Sequence, residues 1–339
     1  MEIRSFWKET FCLQGSVLPR VYIRVALFGL FALIICSIDI WGGWKTGITV
    51  TPFEFVGAIL GLMLVLRTNS GYDRWYEARK LWGGIVNQSR NLTIQGLVYG
   101  PRDENWRQQF MKWTAAFPHV ARHSLRGERN LDDVADLLGP DMPVVKAASN
   151  MPLIVAGKIC MLLHEAVQSG GMDRFAFLQA EKERSQLIDH LGACERILKT
   201  PLASVYSVEI RRFLFAYLIT LPLGMVDQIG IWTPVFIMVV AYPLLSLDQI
   251  GVDLQNPFSK LRLSHLPLDE ISTAIEQNVL GVAQDLSASV PIPTVNNPKP
   301  PATTVASASD TAKSMAANQY FAPSHDPVTG ARYPQYAGT

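Results

Sequence analysis

Four long apolar runs constrain the fold of this chain more than any other feature. They are VALFGLFALIICSI at 25–38, FEFVGAILGLMLVL at 53–66, FLFAYLITLPLGMV at 213–226 and IGIWTPVFIMVVAYPLLSL at 229–247. With its apolar flanks, the first run reaches the roughly 20 residues that a helix needs to cross the hydrocarbon core of a bilayer. The third and fourth runs nearly touch in sequence, which predicts a helical hairpin.

Composition agrees with a membrane location. Charged residues make up 17% of the chain, against about 25% in ordinary soluble domains. We predict an all-α integral membrane protein with four transmembrane helices, at about 21–41, 51–67, 208–227 and 229–248. The second run is short and contains Glu54, which a helix that lines a pore or packs inside an oligomer could tolerate, although a soluble core helix is the alternative. Three prolines inside the runs predict kinks, at Pro222, Pro234 and Pro243.

The chain between the second and third runs is polar and amphipathic. At 175–198, for example, apolar residues recur at helical spacing, which predicts an amphipathic helix. We expect a soluble helical part at about 68–207 and 256–290. From 291 to 339 the chain is rich in Pro, Ala, Ser and Thr, and this composition predicts a disordered tail.

Basic residues predict the orientation. Four Lys or Arg residues precede the first run, only Lys45 lies between the first and second runs, and none lies between the third and fourth. Because cytoplasmic segments collect Lys and Arg, we expect both termini and the large helical part in the cytoplasm, in a multi-pass protein of the cell membrane.

Several classes of function find no support in the sequence. The formal net charge is +1, which gives no argument for a nucleic-acid partner. The four cysteines are scattered, and no phosphate-binding loop, dinucleotide fingerprint or nucleophile elbow occurs. His119 and His123 are four residues apart but lack the glutamate of a zinc-protease motif, so we expect a polar surface or interface role. We predict no enzyme, no cofactor and no metal site.

Two stretches resemble the bestrophin family, including its bacterial and plant members. One is RTNSGYDRWYEARKLWG at 67–83, directly after the second run. The other combines LPLGMVD at 221–227 with Thr-Pro at 233–234, Asn-Pro-Phe at 256–258 and Leu-Pro-Leu-Asp at 266–269. The resemblance covers about residues 16–283. It places a channel domain at 20–290, after an N-terminal cytoplasmic segment at 1–19.

The resemblance implies a homopentamer with a central pore, in which the second span lines a narrow neck and cytoplasmic helices form a vestibule with a second constriction. Animal and plant members conduct chloride, and some bacterial members pass cations. We therefore expect a pore-forming subunit for small ions, with anions such as chloride as the leading expectation and membrane lipid as a partner. A cation channel of the same fold and a non-channel membrane scaffold stay open as alternatives.

The neck is expected at Ala58, Leu62 and Leu66. They repeat at four-residue spacing and so share a helix face, and they fall at the neck positions that the resemblance implies. Narrow apolar rings can gate a channel by dewetting. An ordinary packing stripe is the alternative. The chain departs from the phenylalanine or isoleucine common in family necks, which leaves the width at Ala58 open.

The remaining candidates flank this neck. Glu54, Arg67 and Asp73 bracket the second span and could bias ion sign at the pore mouths, with snorkelling or pairing between subunits as the alternatives. Arg74 and Trp75 are expected to form a collar that fixes the pore helix to the helical part.

Counting back from the later motif suggests Phe175 as the second constriction, with a core position as the alternative. The animal calcium clasp is not expected, because no carboxylate lies between Phe258 and Asp269.

Overall fold

The structure is a computed structural model that describes residues 15–43, 45–201 and 204–289. All described residues belong to one unit, Met1–Val290. Ten α-helices make up this part: α1 Leu18–Gly42, α2 Thr51–Tyr99, α3 Glu104–Arg126, α4 Ala135–Leu138, α5 Met142–Ala147, α6 Met151–Gln168, α7 Arg174–Lys199, α8 Ser204–Ile229, α9 Thr233–Asp253 and α10 Leu268–Ser289. No strand occurs in these ranges. The predicted tail at 291–339 and residues 1–14 lie outside the described residues.

The first core is a bundle of apolar helices. Helix α9 packs against α1 and α2, and α8 packs against all three. The interior is made of aliphatic side chains and alanine, including Val21, Ala32, Leu60, Leu64, Leu214, Leu218, Ile237 and Ala241. The outward-facing side chains of α1 are also apolar, among them Leu27, Leu30 and Ile34. A helix that is apolar all round is typical of a membrane span.

The predicted hairpin is formed by α8 and α9, which are joined by one 3-10 turn, Gly230–Trp232. Pro222 and Pro243 lie inside these helices, as expected. The kink predicted at Pro234 is wrong, because this residue occupies the first turn of α9. A proline there removes an N–H group that has no partner within the helix in any case.

Helix α2 is one uninterrupted helix of 49 residues. The predicted second span, 51–67, is only its first third. At 1.5 Å per residue the helix is about 74 Å long, whereas the hydrocarbon core of a bilayer is about 30 Å thick. The second half of α2 therefore extends well beyond the membrane and joins the bundle to the helical part.

The second core lies where α3, α6, α7, α10 and the distal part of α2 meet. It is rich in aromatic residues, including Trp82, Trp106, Phe110 and Phe117. Within the described part of the chain, four stretches are long and apolar enough to cross a membrane: α1, α2, α6 and the α8–α9 stretch Val205–Asp253. In α6, 44% of the apolar 18-residue stretch is buried inside the protein, whereas the corresponding share in the other three candidates is 17–28%. This burial favours a core helix for α6, and α8 and α9 then supply two crossings.

The segment between α9 and α10 differs from expectation. A helix was predicted from 256 onward, but α10 begins only at Leu268. The side chain of Asn256 accepts a hydrogen bond from the Phe258 amide at 3.1 Å, and the Leu266 amide donates to the Pro257 carbonyl at 2.7 Å. Asparagine bonded to the backbone two residues on is a turn-forming arrangement that competes with helix.

Two glycines inside helices, Gly96 near the C-terminal end of α2 and Gly192 in α7, test the packing of the second core. A methyl group at Gly96 would overlap the fully buried ring of Phe110, whereas Gly192 has open space around it. We expect Gly96→Ala to lower the free energy of unfolding by about 1–3 kcal/mol through overpacking. Gly192→Ala should be neutral or stabilising by up to about 1 kcal/mol, because alanine is the better helix former. Thermal unfolding in detergent checks this pair, and equal effects of the two variants would contradict the packing described.

Candidate pore-lining site

One face of α2 remains uncovered by its own protomer along nearly the whole helix. We call this face the α2 stripe. Its members are all exposed and recur every three or four residues: Phe55, Ala58, Leu62, Leu66, Asn69, Asp73, Tyr76, Lys80, Gly83, Asn87, Arg90, Ile94 and Val98. The opposite face is buried against the protomer at the same period, for example at Leu60, Leu64, Arg67 and Gly71.

The stripe changes character where α2 leaves the bilayer. Its first four members, from Phe55 to Leu66, are apolar, and its next members, from Asn69 to Arg90, are mostly polar or charged. All three candidate neck residues are on the stripe. Leu62 and Leu66 are 60% and 53% exposed, so they do not belong to the packing core of their own protomer.

The buried face carries a charged group at the end of the apolar bundle. Arg67, 1% exposed, forms an ion pair with Asp248 of α9, and Arg211 of α8 donates to the same carboxylate at 3.2 Å. This position excludes Arg67 from a pore mouth. The three residues are distant in sequence, and only the fold brings them together.

The collar residues fix α2 to the helical part. Arg74 donates to the carbonyl of Thr200 at 2.7 Å and also to that of Ile197, at the C-terminal end of α7. Burial lowers the pKa of Arg74 from its ordinary value, opposed by Glu77. The positive charge of Arg74 also interacts favourably with the partial negative charge at the C-terminal end of the α7 dipole. The Trp75 indole N–H donates to the Ser264 carbonyl at 2.7 Å.

The two remaining acidic candidates point away from the protomer. Glu54 is exposed in the first turn of α2, and Asp73 is exposed on the stripe. Along α2, Glu54 therefore lies before the three apolar neck candidates and Asp73 lies after them. Because both side chains are exposed, they are accessible to ions in solution, whereas the buried side chain of Arg67 is not.

Phe175 lies in the first turn of α7. The turn is capped by Asp173, whose carboxylate accepts hydrogen bonds from the amides of Phe175 and Ala176 at 2.8 and 3.1 Å. The phenyl ring is 85% exposed, so the alternative of a core phenylalanine is wrong for the protomer. An exposed ring of this size is free to meet another subunit or a pore.

An acidic side chain near the position of the animal calcium clasp is already paired with arginine. Asp253 is 1% exposed, accepts a hydrogen bond from Arg20 at 2.8 Å, and lies 3.5 Å from Arg262. Both arginine contacts are to Oδ1 of Asp253, so the charge of this carboxylate is already balanced by basic side chains, which makes it a poor calcium ligand. Across the described ranges no group of three or more His, Cys, Asp or Glu residues is arranged to hold a metal ion.

The histidine pair of α3 is buried within the protomer, which corrects the expected surface or interface role. The Nδ1 of His123 lies 3.0 Å from Glu128, and its Nε2 lies 2.8 Å from Asp133. His119 is 3% exposed, with Nε2 3.0 Å from Glu276 of α10. Burial, with a smaller contribution from Arg122, lowers the pKa of His119 to about 4.

The buried carboxylate of Asp248 provides a stability test. Asp248→Asn removes the charge that balances Arg67, and loss of one partner from a buried pair costs about 3–5 kcal/mol. Asp73→Asn is the matched control, because its carboxylate is exposed on α2, six residues after Arg67, and its loss should change stability by less than about 0.5 kcal/mol. Thermal unfolding in detergent measures both variants. Equal stability of Asp248→Asn and the unmodified protein would contradict the buried pairing.

The burial of His119 predicts a pH dependence. A histidine titrates near 6.5 when unfolded, so between pH 6.5 and 4 the unfolded chain binds the proton that folded His119 does not. The free energy of unfolding should fall over this range, by about 3 kcal/mol at most. His119→Gln should flatten this fall, whereas His164→Gln, at an exposed position of α6, should not. Burial also raises the pKa of Glu276, which acts in the opposite sense, so the comparison between variants isolates His119. Parallel pH profiles for both variants would contradict the assignment.

Comparisons with known proteins agree with this architecture. The family described as "Bacterial/Fungal Bestrophin protein" matches residues 2–281. A voltage-dependent anion channel-forming protein of Nostoc is 32% identical over 81% of this chain and 91% of its own length. One of the same name from Escherichia coli K12 is 31% identical over 80% and 90%.

The fold also matches a solved structure. A crystal structure of a bacterial bestrophin homologue from Klebsiella pneumoniae superposes with a TM-score of 0.71 at 24% identity, and the match covers 79% of this chain and 99% of that one. A family match over most of the chain and relatives of this identity and coverage leave no other assignment. The chain belongs to the bacterial and fungal bestrophin family.

Proposed function

We propose that this protein is an anion-conducting channel of the cell membrane, built as a homopentamer in which five α2 stripes line a central pore. Family membership supports a channel, and the relatives are named as voltage-dependent anion channel-forming proteins. The observation that carries the proposal is the α2 stripe itself. A 49-residue helix that packs on one side and leaves the other uncovered requires a partner for that side.

The change along the stripe suits a pore. Its apolar part, with Ala58, Leu62 and Leu66, lies within the membrane portion of α2 and would form three apolar rings. A narrow apolar tube holds water poorly and can gate by dewetting. Its polar part would line a wider aqueous vestibule, which closes at a second constriction formed by Phe175.

The charges on the polar part favour anions. Asp73 is the only acidic member of the stripe, and Lys80 and Arg90 are basic. Rings of basic side chains attract anions to a pore and repel cations. Lys80 also lies 4.9 Å from the ring centre of Tyr76, which helps to hold its ammonium group in place.

The orientation follows from the basic residues. One end of the bundle carries several arginines, namely Arg67, Arg211 and the collar residue Arg74. The connection between α1 and α2, at the other end, has Lys45 as its single basic residue. We assign the arginine-rich end, both termini and the helical part to the cytoplasm. Membrane lipid then surrounds the apolar outer faces of the bundle.

A flux assay with matched variants tests the neck. In chloride-loaded liposomes, Leu62→Ala should raise chloride efflux severalfold, because it widens an apolar ring. Leu64→Ala removes the same atoms from the buried face two residues away, and should lower stability by about 2–5 kcal/mol without raising flux. No chloride movement in the unmodified protein or in either variant would contradict the channel. Mass measurement in detergent tests the pentamer separately.

A cation channel is the second candidate, and one observation favours it. Glu54 and Asp73 would place acidic rings at the two ends of the apolar neck, and acidic rings select cations. Under opposed chloride and potassium gradients, the anion proposal predicts chloride flux that stays the same or rises in Asp73→Asn. Potassium flux that exceeds chloride flux and falls in Asp73→Asn would decide for the cation channel.

A further inference from the structure

A groove on the apolar bundle lies between α1 and α8, with α9 at its base. Its volume is about 560 Å³. The walls are apolar side chains, Leu27 and Phe31 from α1 and Leu214 and Ile219 from α8, together with Phe28 and Phe215. The last two rings meet edge to face, with centroids 6.2 Å apart.

Charged side chains occur only at one end of this groove. Arg24 precedes the apolar residues of α1 by one turn, Arg211 precedes those of α8, and Asp248 follows Leu245 of α9. All three helices thus place their charged lining residue at the same level. From Arg211 to Ile219 the groove wall runs about 12 Å along the helix axis, which fits the upper part of an acyl chain.

The charge at that end is positive. Asp248 is already shared by Arg67 and Arg211, so these three groups together carry one positive charge, and Arg24 adds a second. The groove thus has two net positive charges at its membrane-surface end and apolar walls along the rest of its length. These properties match a ligand with an anionic head and a hydrocarbon tail.

We propose that this groove binds an anionic phospholipid of the leaflet at the arginine-rich end, with its phosphate at Arg24 and Arg211 and one acyl chain between Phe28 and Phe215. The Arg67–Asp248 pair holds Arg211 in position from the interior. The proposal rests on insertion in a membrane and not on ion conduction, so a protein that carries no current can still bind the lipid.

Lipid retention tests the headgroup contacts. The full chain is reconstituted in nanodiscs with equal phosphatidylglycerol and phosphatidylcholine, extracted gently, and its bound lipid is quantified by native mass spectrometry. We expect enrichment of phosphatidylglycerol, reduced about fivefold by Arg24→Gln or Arg211→Gln, because a basic residue near an anionic surface contributes about 1 kcal/mol. Arg212→Gln is the matched control: it is the next residue of α8, it is paired with Glu209, and it lies outside the groove. An equal loss in Arg212→Gln, or no enrichment in the unmodified protein, overturns the proposal.

A second pair of variants tests the acyl-chain slot. Leu27→Trp fills the groove and should lower the amount of both lipids retained, whereas Leu30→Trp, at another exposed position of α1 that does not line it, should not. Size-exclusion profiles and melting temperatures confirm that each variant is folded. If Leu27→Trp leaves lipid unchanged but breaks the oligomer, the groove is an interface between subunits and the lipid proposal is wrong. Chloride flux is measured in parallel, so failure of the channel and failure of the lipid site are distinguishable.

Discussion

The rotation of α2 about its own axis is the constraint on which the other features depend. Three contacts set it: the Arg67–Asp248 pair at the end of the bundle, the bonds from Arg74 to the last carbonyls of α7, and the bond from Trp75 to the Ser264 carbonyl. They lie within nine residues, near the level where the helix leaves the membrane. Because one face is held there, the opposite face is presented outward over the whole length of the helix.

The two halves of α2 lie in different environments, one in the bilayer and the other beyond it. In a bilayer each backbone polar group needs a partner within the protein, which a continuous helix provides. Beyond the bilayer, α2 is stabilised by packing on α7, α3 and α10 and not by lipid. The close approach of Gly96 to Phe110 belongs to this second environment. Continuity of the helix therefore couples the membrane bundle mechanically to the helical part.

Much of this could be predicted from the sequence because it depends on local composition. Apolar runs revealed the spans, and the motif at 67–83 revealed the family and the collar. The length of α2 was missed because its polar half lacks the hydropathy that marks a span. The shared carboxylate of Asp248 was missed because its arginine partners are distant in sequence, so only the packing of α2, α8 and α9 assembles the group.

The candidate neck residues also show what sequence can and cannot predict. Four-residue spacing identified Ala58, Leu62 and Leu66 as one face, but spacing alone does not say whether a face is buried or exposed. The structure places that face outside the protomer core. For His119 and His123 the spacing was equally clear, yet the face turned out to be buried, because α10 covers it.

The most direct test of the account is a cysteine accessibility scan of α2 during chloride flux. With the native cysteines replaced, single cysteines are introduced from position 54 to 73 and treated with a charged, membrane-impermeant thiol reagent. We expect inhibition at 55, 58, 62, 66, 69 and 73, and none at the buried positions 60, 64 and 71. Inhibition without helical period, or centred on the buried positions, would show that another surface lines the pore.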